Sequence, residues 1–180
     1  MLNNAACEIW KTYYEVASAA YNAGEIATAR LMYQESIQSA THFGLVAEEA
    51  MSCHGLGLCF LRQGDENEGQ RLLRKAIRLY CSLDPYTFNA HGLSLAVCAL
   101  ADVYIAHARP DRALPLLKMC EKTIDFQAGR CSENWRADST RGELKPVVGR
   151  IAFIYNNHGQ GDKAASRLKQ LGAFEKVAHF

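Results

Sequence analysis

Much that would point to chemistry is missing from this chain. Four prolines in 180 residues are too few for a collagen-like or proline-rich polymer. No run of about 18 apolar residues occurs, so no membrane-spanning helix is expected. The opening residues, MLNNAACEIWK, have neither a basic stretch nor a long apolar core, and no secretory signal is read there. Neither sign of charge dominates, and a net charge of +1 gives no bulk pull toward nucleic acid or acidic membranes. No Ser-His-Asp order, phosphate-binding glycine loop or HExxH motif is present. Gly55-x-Gly57 runs on into helix instead of closing a strand-to-helix turn, so it is no dinucleotide fingerprint. The expectation is a chain that is not an enzyme, binds no cofactor and binds no nucleic acid.

Seven cysteines are present, an odd number, with no CxxC pair. Cys53, Cys59, Cys98 and Cys120 fall on apolar stripes and read as small buried hydrophobes in a reducing, cytoplasmic setting. Cys53, His54 and Cys59 match no zinc spacing, and Cys53 and His54 point to different helix faces, so no metal site is expected. His107 and His158 sit where helices end, as surface histidines commonly do.

What is present is helical periodicity. Hydrophobic residues make up 49% of the chain and charged residues 22%, enough for one soluble domain with a sizeable core. Apolar residues recur near every 3.6 positions. Ile9, Tyr13, Val16, Ala17 and Ala20 form one stripe, and Ile26, Ala29, Tyr33 and Ile37 the next. A second pair carries Ala47, Ala50, Cys53, Leu56, Gly57 and Phe60, then Gly69, Leu72, Leu73, Ala76, Ile77 and Tyr80. Asp65 and Glu68 between them read as a capping box. Leu83-Asp84-Pro85 is a boundary. The third pair carries Val97, Leu100, Ala101 and Tyr104, then Ala113, Leu116, Leu117 and Cys120, with Pro115 expected to remove a backbone hydrogen bond and bend the helix start. Residues 125–145 read as an irregular insertion with Trp135 stranded in it. The fourth pair carries Val148, Ile151, Ala152 and Tyr155, then Ala164 and Leu168.

Aligned on their turns, the four pairs superpose. Ala17, Gly57, Ala101 and Ala152 share a column, and Ala20, Phe60, Tyr104 and Tyr155 share the column three residues later. Gly24, Gly64, Ala108 and Gly159 make the turn. Ala29, Gly69, Ala113 and Ala164 follow, and then Tyr33, Leu73, Leu117 and Leu168. Close antiparallel helices need a small residue where they cross and a large one in the neighbouring gap. A single pair cannot bury its own face, so pairs stack. The chain is therefore read as one helical repeat domain over 1–180, with units near 6–43, 45–82, 86–124 and 146–171. Trp10 lies outside the pattern.

This pattern resembles the tetratricopeptide repeat: small-x-x-aromatic, a turn glycine, Ala, then a large apolar residue. The turn residues lie 40, 44 and 51 positions apart, longer than the usual 34 of that family and similar to kinesin light chain-like units. Arg109-Pro110-Asp111-Arg112-Ala113-Leu114-Pro115-Leu116-Leu117 resembles the second helix of such a unit. The aromatic usual four residues before the small column is absent, with Tyr13, Cys53, Val97 and Val148 there instead. The resemblance implies an all-α right-handed superhelix, or solenoid, of about four antiparallel helix pairs, whose first helices line a concave groove.

Carried across by alignment, the groove positions are Lys11, Tyr14, Ser18, Tyr21 and Asn22; Met51, His54, Leu58, Leu61 and Arg62; Leu95, Cys98, Asp102 and Ile105; and Gly149, Phe153, Asn156 and Asn157. The middle of this set is apolar, with Leu58 and Leu61 expected to face away from the helix contact at Gly57. Tyr14 and Ser18 stand where a carboxylate clamp would need Lys and Asn, so recognition of a free C-terminus is not favoured. The reading is an adaptor that binds a protein partner, as a peptide or helix, in an apolar groove. Its alternatives are a self-associating scaffold and a small chaperone holding an apolar client segment. A homo-oligomer is suggested by charge: residues 1–50 carry six glutamates against two basic residues, and residues 130–180 carry nine basic against five acidic. Ordinary scatter over solvated faces is the other account of that asymmetry.

Overall fold

The computed structural model describes residues 2–130 and 139–177, with side chains described over 7–130 and 139–170. Trp135 and Cys131 lie outside the described residues. The chain is all-α, with no strand among the described residues. Among the described residues eight helices follow in order: α1 Leu2–Ala23, α2 Ile26–Phe43, α3 Val46–Arg62, α4 Glu66–Ser82, α5 Ala90–Ala106, α6 Pro110–Gly129, α7 Lys145–Asn157 and α8 Gly161–Val177. They form two compact units, Met1–Leu83 and Asp84–Phe180, divided at the Leu83-Asp84-Pro85 boundary. The Asp84 carboxylate closes the turn there, accepting from the Tyr86 and Thr87 amides and the Thr87 hydroxyl. Those bonds hold its carboxyl below the usual carboxylate range.

The turns explain why the sequence folds as repeats. Gly24, Gly64, Ala108 and Gly159 all have positive φ, at 83°, 82°, 53° and 69°. This left-handed residue lets the next amide reach back to the carbonyl five residues earlier and satisfy a helix end. Glu25, Asp65, Arg109 and Gln160 donate to Ala20, Phe60, Tyr104 and Tyr155 at 2.8–3.0 Å. Leu45 does the same to Ala40 after Gly44. Asp65 caps α4 by accepting from the Glu68 amide at 3.1 Å. The expected capping box is only half made. The Glu68 carboxylate accepts from Arg71, and the Asp65 amide is taken by Phe60.

In the first unit α1, α2, α3 and α4 pack in succession, and α1 also reaches α3. α3 is flanked on two sides, and a glycine serves each side. A Cβ on Gly57 would meet the Gly69 carbonyl at 3.2 Å and Leu73 at 3.1 Å. A Cβ on Gly55 would fall 2.3 Å from the Tyr33 ring, a crossing that the repeat columns do not include. Trp10 is buried, at 7% exposure, although it lies outside the repeat pattern. Its indole N–H donates to Ser52 Oγ at 2.9 Å, and Ser52 Oγ lies 2.6 Å from Ser36 Oγ. A buried indole and two hydroxyls thereby satisfy one another across three helices.

In the second unit α5 packs with α6, α6 and α5 with α7, and α7 with α8. Alanine occupies the crossing columns, and Ala101, Ala113, Ala152 and Ala164 are all buried. Pro110 opens α6 at its first turn and Pro115 lies inside it. The irregular segment begins later than expected. α6 continues to Gly129 because Ile124, Gln127 and Ala128 keep the buried stripe going, and residues 139–142 form a helical turn.

Three core expectations fail on α1 and α8. Ile9, Val16 and Leu168 are 47%, 46% and 57% exposed. α1 packs on α2 and α3, and α8 on α7, contacts that leave part of each helix uncovered.

Candidate functional site

The first helix of each pair supplies one side of its unit. In the first unit these are α1 and α3, which touch each other. Tyr14, Ser18 and Tyr21 of α1 are half-buried, as are Met51, His54, Leu58 and Leu61 of α3, and Arg62 is exposed. Lys11 and Asn22 are exposed at the two ends. Arg62 joins the helices, donating to the Tyr21 carbonyl at 3.1 Å with its guanidinium 5.1 Å from the Tyr21 ring. Such a cation–π contact fixes the ring while leaving an apolar edge available.

Tyr14 is set deeper. It stacks on Trp10 at 5.0 Å and meets Tyr33 edge-on at 5.7 Å. Burial pushes its phenol pKa up. Burial also raises the Tyr33 phenol, to which Ser18 is hydrogen-bonded. Tyr14 and Ser18 are therefore anchored toward α2, and Tyr21 also packs against the core cluster that holds Tyr33; Met51 and Leu58 of α3 are half-buried.

Leu61 does not face away from the helix crossing. A Cβ at Gly69 would lie 2.6 Å from Leu61 Cδ2, so the leucine fills the space that Gly69 leaves on α4. The physical reason is the close α3–α4 approach, which brings the last turn of α3 over a residue without a side chain. Helix angle alone does not reveal that.

In the second unit the corresponding helices are α5 and α7. Leu95 is 40% exposed and Phe153 51%, while Ile105 and Gly149 are half-buried and Asn156 and Asn157 exposed. Cys98 is buried, at 3% exposure, and is not a groove surface. Its thiol is pushed up to about 11 by burial, with Arg150 opposing the shift. Asp102 is exposed but engaged. Arg150 of α7 donates to both its carboxylate oxygens, at 2.7 and 2.6 Å, and to the Pro146 carbonyl at 3.1 Å. Arg150 was missed by the alignment. No spacing in the sequence ties Arg150 to Asp102, which lies 48 residues away.

The same unit has an open concavity of about 210 Å³ lined by Pro110, Leu114, Ile154, Tyr155 and His158. Lys118 and Lys163 each lie within 6 Å of the Tyr155 ring. Among the described residues no three His, Cys, Asp or Glu side chains gather as a metal ion would need. No described helix is long and apolar enough to cross a membrane.

No family model and no curated protein matches the sequence. Solved structures do match. BtubC (BKLC) from P. vanneervenii superposes with a TM-score of 0.67 at 14% identity, over 94% of this chain and 64% of that one. A Podosopora anserina protein described as a putative kinesin light chain of nearly identical TPR-like repeats superposes at 0.59 with 20% identity, over 94% of this chain and 76% of that one. This chain has the fold of a tetratricopeptide-type repeat protein. It spans less than two thirds of the length of BtubC, and identities this low establish the fold alone.

Proposed function

We propose that the chain is a protein–protein interaction module that holds a peptide or helix of a partner against the α1–α3 face. The supporting observation is the Arg62–Tyr21 contact that joins two touching helices, on which Tyr21, Met51 and Leu58 are half-buried and Arg62 is exposed. Desolvating such a face supplies about 25 cal/mol per Å² before ordering costs are subtracted. An amphipathic helix or an alternating strand presents anchors at a spacing that fits it. Exposed Leu95 and Phe153 give the second unit an apolar element of its own, set beside the Asp102–Arg150 pair. A non-enzymatic adaptor in the cytoplasm is the role this composition fits.

The test is affinity capture from the native source with the wild type and with Met51→Glu/Leu58→Glu, followed by titration of the captured partner against both purified proteins. Loss of binding by the variant, with the thermal midpoint within a few degrees, is expected. Undiminished binding by a folded variant would move the partner to another face. Leu61 is left out of the variant because it packs on Gly69.

A further inference from the structure

The open concavity of the second unit has a counterpart in the first, and there it is filled. Counted from the turn column, Leu114 lies six residues after Ala108 as Arg30 lies six after Gly24. Tyr155 and His158 precede Gly159 by four and one, as Phe60 and Gln63 precede Gly64. In the first unit the Arg30 guanidinium lies 4.2 Å from the centre of the Phe60 ring and donates to Gln63 Oε1 at 2.7 Å. A long side chain of α2 thus covers the ring near the end of α3. In the second unit the shorter Leu114 stands in that place, and about 210 Å³ is open between Pro110 and Leu114 of α6 and Ile154, Tyr155 and His158 of α7. Both helices have packed neighbours, α6 in α5 and α7, and α7 in α5, α6 and α8. The space comes from one short side chain between packed helices.

Size and surface restrict what can enter. The walls are almost wholly apolar, so a polar group placed there would lose its water without gaining a partner. An apolar cavity of about 150 Å³ holds benzene, and pockets that enclose a whole small ligand run to about 300–1,000 Å³. The space therefore takes one side chain of leucine or phenylalanine size and leaves the rest of its molecule outside. The rim beside Tyr155 is basic. Lys118 Nζ and Lys163 Nζ lie 5.8 and 5.6 Å from the centre of the ring. Lys163 donates to Gln160 Oε1 at 3.0 Å, and Gln160 also lines the opening. Neither lysine forms an ion pair among the described residues. Asp111, which lines the opening as well, is already held by Arg109 at 3.1 and 3.2 Å.

We propose that this concavity is a docking site of its own, which takes one apolar side chain of a partner protein whose next residue is Asp or Glu. The apolar side chain covers Tyr155 as Arg30 covers Phe60, and the carboxylate meets Lys118 and Lys163. Removing apolar surface from water supplies the affinity. The charges choose among apolar segments and set the direction in which the partner chain runs. The site shares no residue with the α1–α3 face, and its test is independent of that face.

The test is titration of the isotope-labelled chain with three capped dipeptides, acetyl-Leu-Glu-amide, acetyl-Leu-Lys-amide and acetyl-Ser-Glu-amide, followed by amide NMR shifts. The Leu-Glu probe is expected to give saturable shifts centred on residues 110–118 and 154–163. Exchanging its Glu for Lys should weaken binding by about two- to tenfold, the range of one or two exposed ion pairs. Exchanging its Leu for Ser should remove the saturable response. Leu114→Arg gives the second unit the residue type of the first, and is expected to close the space and abolish binding. Leu114→Phe fills the space without adding charge and serves if circular dichroism shows the arginine variant misfolded. Lys118→Gln/Lys163→Gln should keep the Leu probes bound and lose the preference for Glu over Lys. No saturable response to the Leu-Glu probe up to its solubility limit overturns the proposal. So does equal binding of the Ser-Glu or Leu-Lys probe, or binding that persists in a folded variant with the space filled.

Discussion

The two units build the same helix pair from different materials. In the first, glycine sits at both crossings of α3, and backbone meets side chain or backbone directly: Gly55 under Tyr33, Gly57 against Gly69 and Leu73. In the second, alanine fills the columns of Gly57 and Gly69. Ion pairs tie helices in both: Lys75 of α4 meets Glu49 of α3 at 2.6 Å in the first, and in the second Arg150 grips Asp102 and Arg167 of α8 donates to Glu121 of α6. The first unit is therefore the more sensitive to added volume at its crossings. A repeat column prescribes a small residue, and the distance between helices decides how small.

The largest effect that separates the units is thiol protection. Cys53 and Cys59 report the first unit and Cys98 and Cys120 the second, and all four are buried. Burial pushes Cys53, Cys59 and Cys98 up to about 11, so at neutral pH they stay protonated and react only when the structure opens. Each rate then reports an opening free energy, up to a global value of about 5–15 kcal/mol for a typical domain. Native labelling should be slow at these four and faster at exposed Cys81, although partial burial pushes its thiol up as well. Followed through a urea titration, one shared midpoint for the four sites would show the units opening together, and two midpoints would show them opening separately. Rapid native labelling of all four would mean that the helix phases are wrong.

Next in size is the Gly55 crossing. On helix propensity alone, Gly55→Ala should stabilise α3 by about 1 kcal/mol. The Tyr33 ring, 2.3–2.8 Å from the new carbon, reverses the sign, and overpacking should destabilise by about 1–3 kcal/mol. Tyr33→Leu, the residue type of the other three units in that column, removes the obstruction. In that background Gly55→Ala should lose most of its penalty, and a double-mutant cycle by urea denaturation measures the difference. A penalty unchanged by Tyr33→Leu would place the obstruction elsewhere.

Smaller again is the ion pair of the second unit. Asp102→Asn removes one charge of a bidentate contact whose carboxylate is half in solvent, at 51% exposure. Screening limits the loss to about 1 kcal/mol or less, and it should shrink with added salt. Stability measured across a salt series checks this, and a loss unaffected by salt would make Asp102 a packing residue. The Cys53 and Cys59 labelling rates should not move.

Much of this was legible in the sequence, and the exceptions share a cause. The turn column was found from spacing alone, and all four of its members have positive φ, including Ala108, which no composition rule would pick. The stripe from Gly69 to Tyr80 is buried as read. Trp10 was not placed, because its partner Ser52 lies 42 residues away and a single buried hydroxyl leaves no periodic trace. Helix angle turns Leu61 outward, but it lies over Gly69; alignment puts Cys98 in the groove, while its apolar stripe reads it as buried, and buried it is, at 3% exposure. Ile9, Val16 and Leu168 were read as core because a column is defined by its interior members. α6 outran its expected end because the turn-rich residues begin after a buried stripe that runs on to Ala128.

The smallest effect has a sign that separates the units most cleanly. Gly64 and Ala108 occupy the same turn position, at φ 82° and 53°, and both make the same return bond from the following amide, at 3.0 and 2.8 Å. An L-residue in the left-handed region is strained by roughly 1–2 kcal/mol, while glycine there adds about 0.4–1 kcal/mol of unfolded-chain entropy to lose. The strain term is the larger, so Ala108→Gly should stabilise the second unit by a few tenths to about 1 kcal/mol. Gly64→Ala should destabilise the first by a similar amount. A Cβ at Gly64 would meet nothing within 4 Å, so no packing change accompanies that substitution and the conformational term stands alone. Urea midpoints of the two variants, read through Cys120 for the second unit and Cys59 for the first, give the two signs separately. Equal signs would mean that the two turns do not share one conformation in solution.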